Sequence, residues 1–267
     1  MRAVLLAGGA GTRLRPLTCD LPKPMAPVLG RPIAEHIIGL LRRHGITEII
    51  VTLHYLPDVV RNYFQDGQDF GVHLSYVVEE ETALGTAGGV QQAAPFLTEP
   101  FLVISGDCIT DIDLTAVITQ HRQRQGMATL VLSRVTNPRD FGAVVLDDQQ
   151  RLLRFLEKPT PSEIFSDTVN TGIYILEPAV LERIAAGRPQ DFAQDVFPQL
   201  ITQGIALYGH VAAGYWCDVG HLETYRQVHY DALTGRVRLD RPGREWRTGI
   251  WVGEHTQIDA TARIEAP

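Results

Sequence analysis

The chain has 267 residues, 45% of them hydrophobic and 21% charged, with a formal net charge of −7. Mean hydropathy is near zero, the balance of a soluble globular protein with a sizeable core. An acidic chain of this kind excludes a general nucleic-acid binder, which is usually basic, and no apolar run approaches the ~20 residues of a membrane span. The three cysteines, Cys19, Cys108 and Cys217, form no Cys-x-x-Cys pair, and the N-terminus runs straight into a strand without a leader. A cytoplasmic protein is therefore expected.

The apolar run from Ala3 to Ala7 reads as a buried strand that stops at the first of three glycines, Gly8, Gly9 and Gly11. Pro32 opens a helix whose Ile33, Ile37, Ile38, Leu40 and Leu41 share one face, and Gly45 closes it. A strand over 48–53, a helix from Pro57 to Phe64, strands over 72–78 and 101–105, and a helix around Leu114 to His121 follow. Strand and helix alternating in this way predict an α/β fold with a largely parallel sheet. From Ala128 the strands crowd together, at 128–135, 142–146, 152–157 and 169–176, which predicts a mixed or antiparallel extension. Helices over 178–185 and 191–203, strands over 205–211 and 215–219, and a helix from His221 to about Leu233 complete this part. In the tail, Val252, Ile258 and Ile264 recur every six residues, the period of a parallel β-helix. Residues 1–233 are thus expected to form one catalytic-type domain, and 234–267 a linker and the start of a β-helix, either a natural stub or a fragment of something longer.

The first loop is the richest in chemistry. Its glycines allow backbone amides to turn inward as a nest for an anion, and Arg13 and the proline-bracketed Lys23 bring full charges to it. It is neither of the two common phosphate motifs. No lysine follows the glycines as a Walker loop requires, and Leu14 stands where the third glycine of the dinucleotide fingerprint belongs. Asp107 and Asp218 each sit at the end of a strand, where two carboxylates suit a magnesium ion that takes its remaining ligands from substrate phosphates; each alone could equally cap a helix. Glu157-Lys158-Pro159 ends another strand with a lysine in a stiffened exit, and Gly172 in Asn170-Thr171-Gly172 marks a close backbone approach. No Ser/His/Asp or Cys/His set stands out, so the inventory favours phosphoryl or nucleotidyl transfer over a covalent intermediate.

Gly8-Gly9-Ala10-Gly11-Thr12-Arg13-Leu14-Arg15-Pro16-Leu17-Thr18 followed by Leu21-Pro22-Lys23-Pro24-Met25 resembles the signature of sugar-1-phosphate nucleotidylyltransferases. Further matches run in order through Leu84-Gly85-Thr86-Ala87-Gly88, Gly106-Asp107, Phe141-Gly142, Glu157-Lys158-Pro159, Asn170-Thr171-Gly172 and Trp216-Cys217-Asp218-Val219-Gly220. Within that family the chain is most similar to mannose-1-phosphate guanylyltransferases, which also carry a hexapeptide tail. The resemblance implies a Rossmann-like, mostly parallel mixed sheet flanked by helices, with the tail starting a left-handed β-helix. It implies a Mg²⁺-dependent reaction of a nucleoside triphosphate with a sugar 1-phosphate, and a homo-oligomer is expected. Leu6, Gly8, Gly9, Gly11, Thr12, Arg13 and Gly85 would hold the nucleotide. Arg13, Lys23, Asp107 and Asp218 would be catalytic, with the two aspartates on the metal, and Gly142, Glu157, Lys158 and Asn170 would bind the sugar phosphate.

The choice of base rests on Glu79-Glu80-Glu81, where relatives using thymidine or uridine typically carry Gln. Guanine offers two adjacent donors that suit a carboxylate acceptor, which favours GTP and singles out Glu79. The three glutamates read equally as a solvated loop, and one extra residue before Leu84 leaves the register open. A glucose-1-phosphate thymidylyl- or uridylyltransferase is the rival enzyme. A regulatory subunit that binds nucleotide sugar without turnover is the rival of another class, although here the cation and carboxylate positions are all kept.

Overall fold

The computed structural model describes residues 1–79, 82–241 and 243–266. In chain order the strands and helices of the first half are β1 (Ala3–Leu6), β2 (Pro27–Val28), β3 (Arg31–Pro32), α1 (Ile33–Arg43), β4 (Glu48–Leu53), α2 (Pro57–Phe64), β5 (His73–Val78), α3 (Gly85–Gln92), β6 (Phe101–Ser105), β7 (Cys108–Thr110) and α4 (Leu114–Arg124). The second half adds β8 (Ala128–Arg134), β9 (Gly142–Leu146), β10 (Leu152–Glu157), β11 (Thr168–Leu176), α5 (Phe197–Thr202), β12 (Leu207–Val211), β13 (Trp216–Asp218), α6 (Leu222–Leu233), β14 (Arg244–Arg247) and β15 (Ile250–Val252).

A nine-stranded sheet runs in the order β10-β9-β11-β6-β1-β4-β5, with β8 paired to β11 and β12 to β8. β1, β4, β5 and β6 are parallel, and β11 lies antiparallel between β6 and β8. Successive residues of a strand face opposite sides, so Val4 and Leu5 enter two different cores, one on each face of the sheet. α1 covers the first face with Ile33, Ile37, Ile38, Leu40 and Leu41, as its periodicity predicts. Asp113 caps α4 by accepting from the N–H groups of Thr115 and Ala116.

The winding reverses at β1. The chain first adds β4 and β5 on one side of it and then returns to place β6 on the other. Ligands of such sheets bind beyond the strand carboxyl ends at this switch, which is where the glycine loop after β1 and Gly106-Asp107 after β6 lie.

Three expectations change. The segment 178–185 is a 3₁₀ helix over Pro178–Arg183, and 191–203 is a π-turn over Phe192–Val196 that runs into α5. Pro198 has no N–H to return to residue 194, so regular α pairing cannot continue through this point. The start of a parallel β-helix is not confirmed. β14 and β15 form an antiparallel hairpin, and Ile258 and Ile264 stand 37% and 38% exposed. Hexads bury their aliphatic residues only against stacked neighbouring coils, and the described residues contain no such coil.

Candidate active site

The two halves of the opening motif fold onto each other. Lys23 N–H donates to the Gly9 carbonyl (3.1 Å), and Thr18 Oγ1 donates to the Gly11 carbonyl (2.6 Å). Gly11 has φ +62°, and a Cβ there would lie 2.8 Å from Lys23 Cβ, so the loop closes on the lysine only with glycine at this position. Lys23 itself is buried between Pro22 and Pro24 in a short 3₁₀ turn.

Its ammonium lies between the two carboxylates that were expected to hold a metal. Lys23 Nζ is 2.6 Å from Asp107 Oδ2 and 3.2 Å from Asp218 Oδ1. Asp107 arrives at the end of β6. Asp218 arrives on β13, which leaves the main sheet and pairs antiparallel with β7, placing Asp218 opposite Cys108. Val219 N–H donates to the Asp107 carbonyl (2.9 Å) and locks the two aspartates together. Burial acts to strip the lysine of its proton, but Asp107 and Asp218 more than offset it and hold the ammonium above its ordinary range. Burial likewise pushes Asp107 up, yet Lys23 outweighs it and leaves this carboxyl below the usual range. Asp218 is pushed up by burial and by the charge of Asp107. Arg13 is exposed on the turn after the glycines and leans over Gly220, where a Cβ would sit 3.5 Å from its Nη2 and 2.7 Å from Asp218 Oδ2.

A further carboxylate fixes the ladder from behind. Asp111 follows β7 with its side chain 8% exposed. Its Oδ1 accepts from Tyr215 N–H (2.7 Å), and its Oδ2 accepts from Arg238 N–H (2.9 Å). The approach to β13 and the chain beyond α6 are thereby tied to one side chain.

Beside the lysine and the aspartates opens a cavity of about 280 Å³. Leu6, Gly8, Gly9, Glu79, Gly85 and Asp107 all line it, as do Thr52, His54, Thr86, Ser105 and Asp191, which the sequence reading did not single out. Gly11, Thr12, Arg13, Lys23 and Asp218 flank it rather than line it. Glu79 is 7% exposed, and its Oε2 accepts from Leu84 N–H (2.7 Å), so it is no solvated loop residue. Glu80 and Glu81 lie outside the described residues. Thr86 Oγ1 donates to Asp191 Oδ2 (2.8 Å), and Asp191 Oδ1 caps the π-turn.

The second predicted group assembles next to the first. Glu157 pairs with Gly142 across the β9–β10 ladder. Burial raises the Glu157 carboxyl above its ordinary range, with Asp191 adding to the rise against the pull of Lys158. Asn170 donates to Tyr174 Oη (2.8 Å) and accepts from Gly172 N–H (3.2 Å). Gly172, at φ +76°, makes the expected close approach, and a Cβ there would lie 3.0 Å from Ser105 Cβ beside Asp107. Lys158 is exposed with φ +47°. Trp216 donates from Nε1 to the Thr171 carbonyl (3.1 Å) and packs edge-on against Phe141, joining this group to the β13 strand. No local motif surrounds Asp191, so the sequence carries no signal that it reaches the cavity. His54 carried a usable signal, being the first residue beyond a parallel strand's carboxyl end.

Residues 2–235 match the family described as nucleotidyl transferase. The chain belongs to the nucleotidyl transferase family. It is 38% identical over 267 residues to a UTP–glucose-1-phosphate uridylyltransferase of Synechocystis sp., covering 95% of this chain and 69% of the relative. It is 39% identical over 235 residues to a mannose-1-phosphate guanylyltransferase of Mycobacterium tuberculosis, covering 87% of this chain and 65% of that one. Among solved structures it superposes on a Bacillus anthracis protein assigned as a glucose-1-phosphate thymidylyltransferase, with TM-score 0.78 at 26% identity over 93% of this chain and 98% of that chain. HddC of Yersinia pseudotuberculosis shares the fold, with TM-score 0.74 at 24% identity over 86% and 99% of the two chains. No helix among the described residues is long and apolar enough to cross a membrane.

Proposed function

We propose that the chain makes a nucleotide sugar and pyrophosphate from a nucleoside triphosphate and a sugar 1-phosphate, and that GTP and mannose 1-phosphate are its substrates. The observation that carries the reaction class is the meeting of the glycine loop, Lys23, Asp107 and Asp218 at the sheet's switch point. Loop amides and Arg13 receive the triphosphate, while Gly142, Glu157, Lys158 and Asn170 receive the sugar phosphate. A phosphate oxygen of the sugar phosphate attacks the α-phosphorus in line, and the bond to the pyrophosphate oxygen breaks. The attacking phosphate already carries negative charge near neutral pH, so the step needs no general base. Lys23 and Arg13 stabilise the charge that develops on the transferring group and on the departing pyrophosphate.

The donor set suits Mg²⁺. Among the described residues no cluster of three or more His, Cys, Asp or Glu side chains could hold a metal. Two hard carboxylates, each with one oxygen not engaged by Lys23, are what a cation sharing its shell with phosphates requires. Asp107 and Asp218 would hold it. When bound, the ion neutralises phosphate charge and orients the triphosphate. The three cysteines are free thiols, in keeping with a reducing cytoplasm.

Guanine is favoured by Glu79, a buried acceptor on the cavity wall, and by relatives named as mannose-1-phosphate guanylyltransferases. A second reading, UTP or dTTP with glucose 1-phosphate, is favoured by the Synechocystis relative. Pyrophosphate release measured with GTP, UTP and dTTP against mannose and glucose 1-phosphates separates them. Preference for GTP with mannose 1-phosphate is expected; preference for UTP or dTTP would overturn the choice of base.

A further inference from the structure

His54 occupies an unassigned place on the wall of the nucleotide cavity. It follows β4, next to β1 in the sheet, and shares the cavity lining with Gly8, Gly9, Glu79 and Asp107. Its position is fixed from two sides. Tyr55 N–H donates to the Gly8 carbonyl (3.3 Å), and a Cβ on Gly8 would lie 3.3 Å from His54 Cβ, so the first glycine and the histidine are packed together. Its Nδ1 lies 3.1 Å from the carbonyl oxygen of Glu79.

That contact decides what the ring can offer a ligand. A carbonyl oxygen only accepts, so Nδ1 must carry the proton. In the neutral imidazole the other nitrogen, Nε2, is then a lone-pair acceptor. No protein group among the described residues bonds to Nε2. The Glu79 carboxylate, whose own main-chain carbonyl sets this tautomer, is an acceptor as well and has given one oxygen to Leu84 N–H. Two acceptors, His54 Nε2 and the Glu79 carboxylate, thus stand on the same wall, coupled through one residue.

We propose that His54 is a specificity residue for the nucleotide: with Glu79 it forms an acceptor pair that receives the adjacent N1–H and N2–H donors of guanine. The proposal rests on reading this cavity as the nucleotide site and extends it to a residue and an atom. Uracil and thymine present one donor between two acceptor oxygens, so against the same pair they leave lone pair facing lone pair, an arrangement that selects against them without any clash of size. A site built around hydrogen bonds rejects the partner that cannot complete them.

The test compares wild-type enzyme with His54→Ala and His54→Asn, measuring kcat/KM for GTP, UTP and dTTP with each of the two sugar phosphates. Removing the acceptor in His54→Ala is expected to lower kcat/KM for GTP about 10-fold, chiefly through KM, in line with one lost hydrogen bond. Values for UTP and dTTP are expected to stay level or rise. His54→Asn, whose amide can present either a donor or an acceptor, is expected to restore part of the GTP activity and to raise that with UTP. Circular dichroism and the melting temperature report that the variants are folded. Equal losses with all three nucleotides, or an unchanged ratio between them, would overturn the role of His54. A wild-type preference for UTP or dTTP would instead remove the guanine reading itself, and it would be seen before any variant is compared.

Discussion

The two halves of the molecule build the site in different ways. Residues 1–124 bring a backbone frame, a glycine loop, strand ends and a helix start set by parallel strands joined through helices, and seat Lys23, His54, Glu79 and Asp107 directly on it. Residues 128–218 bring single side chains, Glu157, Asn170, Asp191 and Asp218, from antiparallel ladders and from turns far apart in the chain. Lys23 joins the two, with one bond to Asp107 from the first half and one to Asp218 from the second. A backbone-built wall tolerates no added atoms. A side-chain-built wall tolerates changes of residue and responds in substrate preference.

The largest effect is expected at the junction. Asp107→Ala should lower kcat by 10³-fold or more, roughly the scale of losing a group that acts in a unit, while circular dichroism stays native. Near-normal turnover would refute the metal role. Adding Asp218→Ala to that variant should cost little more, because the two carboxylates act together.

Lys23→Met should lower kcat by about 10²–10³-fold, the range for removing one preorganised charge partner. It should also change how stability varies with pH. Lys23 holds Asp107 below its ordinary range, so this carboxylate stabilises the fold above that range and loses its contribution as the pH falls through its depressed value. The variant should therefore be less stable than wild type near neutral pH, and denaturant titrations should show the gap closing in acid.

Gly106→Ala tests the backbone wall. A Cβ at this position would lie 2.5 Å from the Leu6 carbonyl oxygen, which accepts from Gly106 N–H. Overpacking of this kind costs about 1–3 kcal/mol, measurable by urea denaturation, and wild-type stability would show that the β1–β6 seam yields more readily than the geometry implies.

Glu157→Gln tests the side-chain wall. Burial raises this carboxyl, so ionising it works against the folded state near neutral pH and costs nothing below the ordinary carboxylate range, where both states are protonated. The variant should melt slightly higher than wild type at neutral pH, with the gain vanishing in acid. Its KM for the sugar phosphate should rise while that for the nucleotide holds.

The smallest effect is expected from Arg238→Ala. This side chain is 84% exposed and 3.4 Å from the nearly buried Asp111, and a pair whose cation stands in solvent contributes about 0.2–1 kcal/mol. The main-chain bond from residue 238 remains, so thermal melts and kcat should barely move.

The same contrast explains what was legible in the sequence. β1, β4, β5 and β6 are short apolar runs ended by turn residues, and their order alone placed the glycine loop and Asp107 in one crevice. Asp218 was legible through its motif. The bridging of the two aspartates by Lys23 was not, because it depends on the β7–β13 ladder closing between residues more than a hundred positions apart. Asp191 stands in a stretch without a motif, and packing alone brings it to the cavity, whereas His54 is marked only by its place just beyond the carboxyl end of β4. The π-turn at 192–196 depends on how Pro198 is accommodated, and periodicity reads through it as one helix. The hexad spacing of Val252, Ile258 and Ile264 is present, but among the described residues no stacked coil lies beside these three aliphatic residues for them to bury against.

Asp111 has a practical consequence. Because it takes N–H groups from both Tyr215 and Arg238, a chain shortened at the end of α6 would keep every side chain proposed for catalysis and yet leave a nearly buried carboxylate short of a donor beside the β7–β13 ladder. The smallest working unit for engineering or domain exchange therefore extends through residue 238, and a cut made before it should be repaired by supplying the missing segment as a separate peptide.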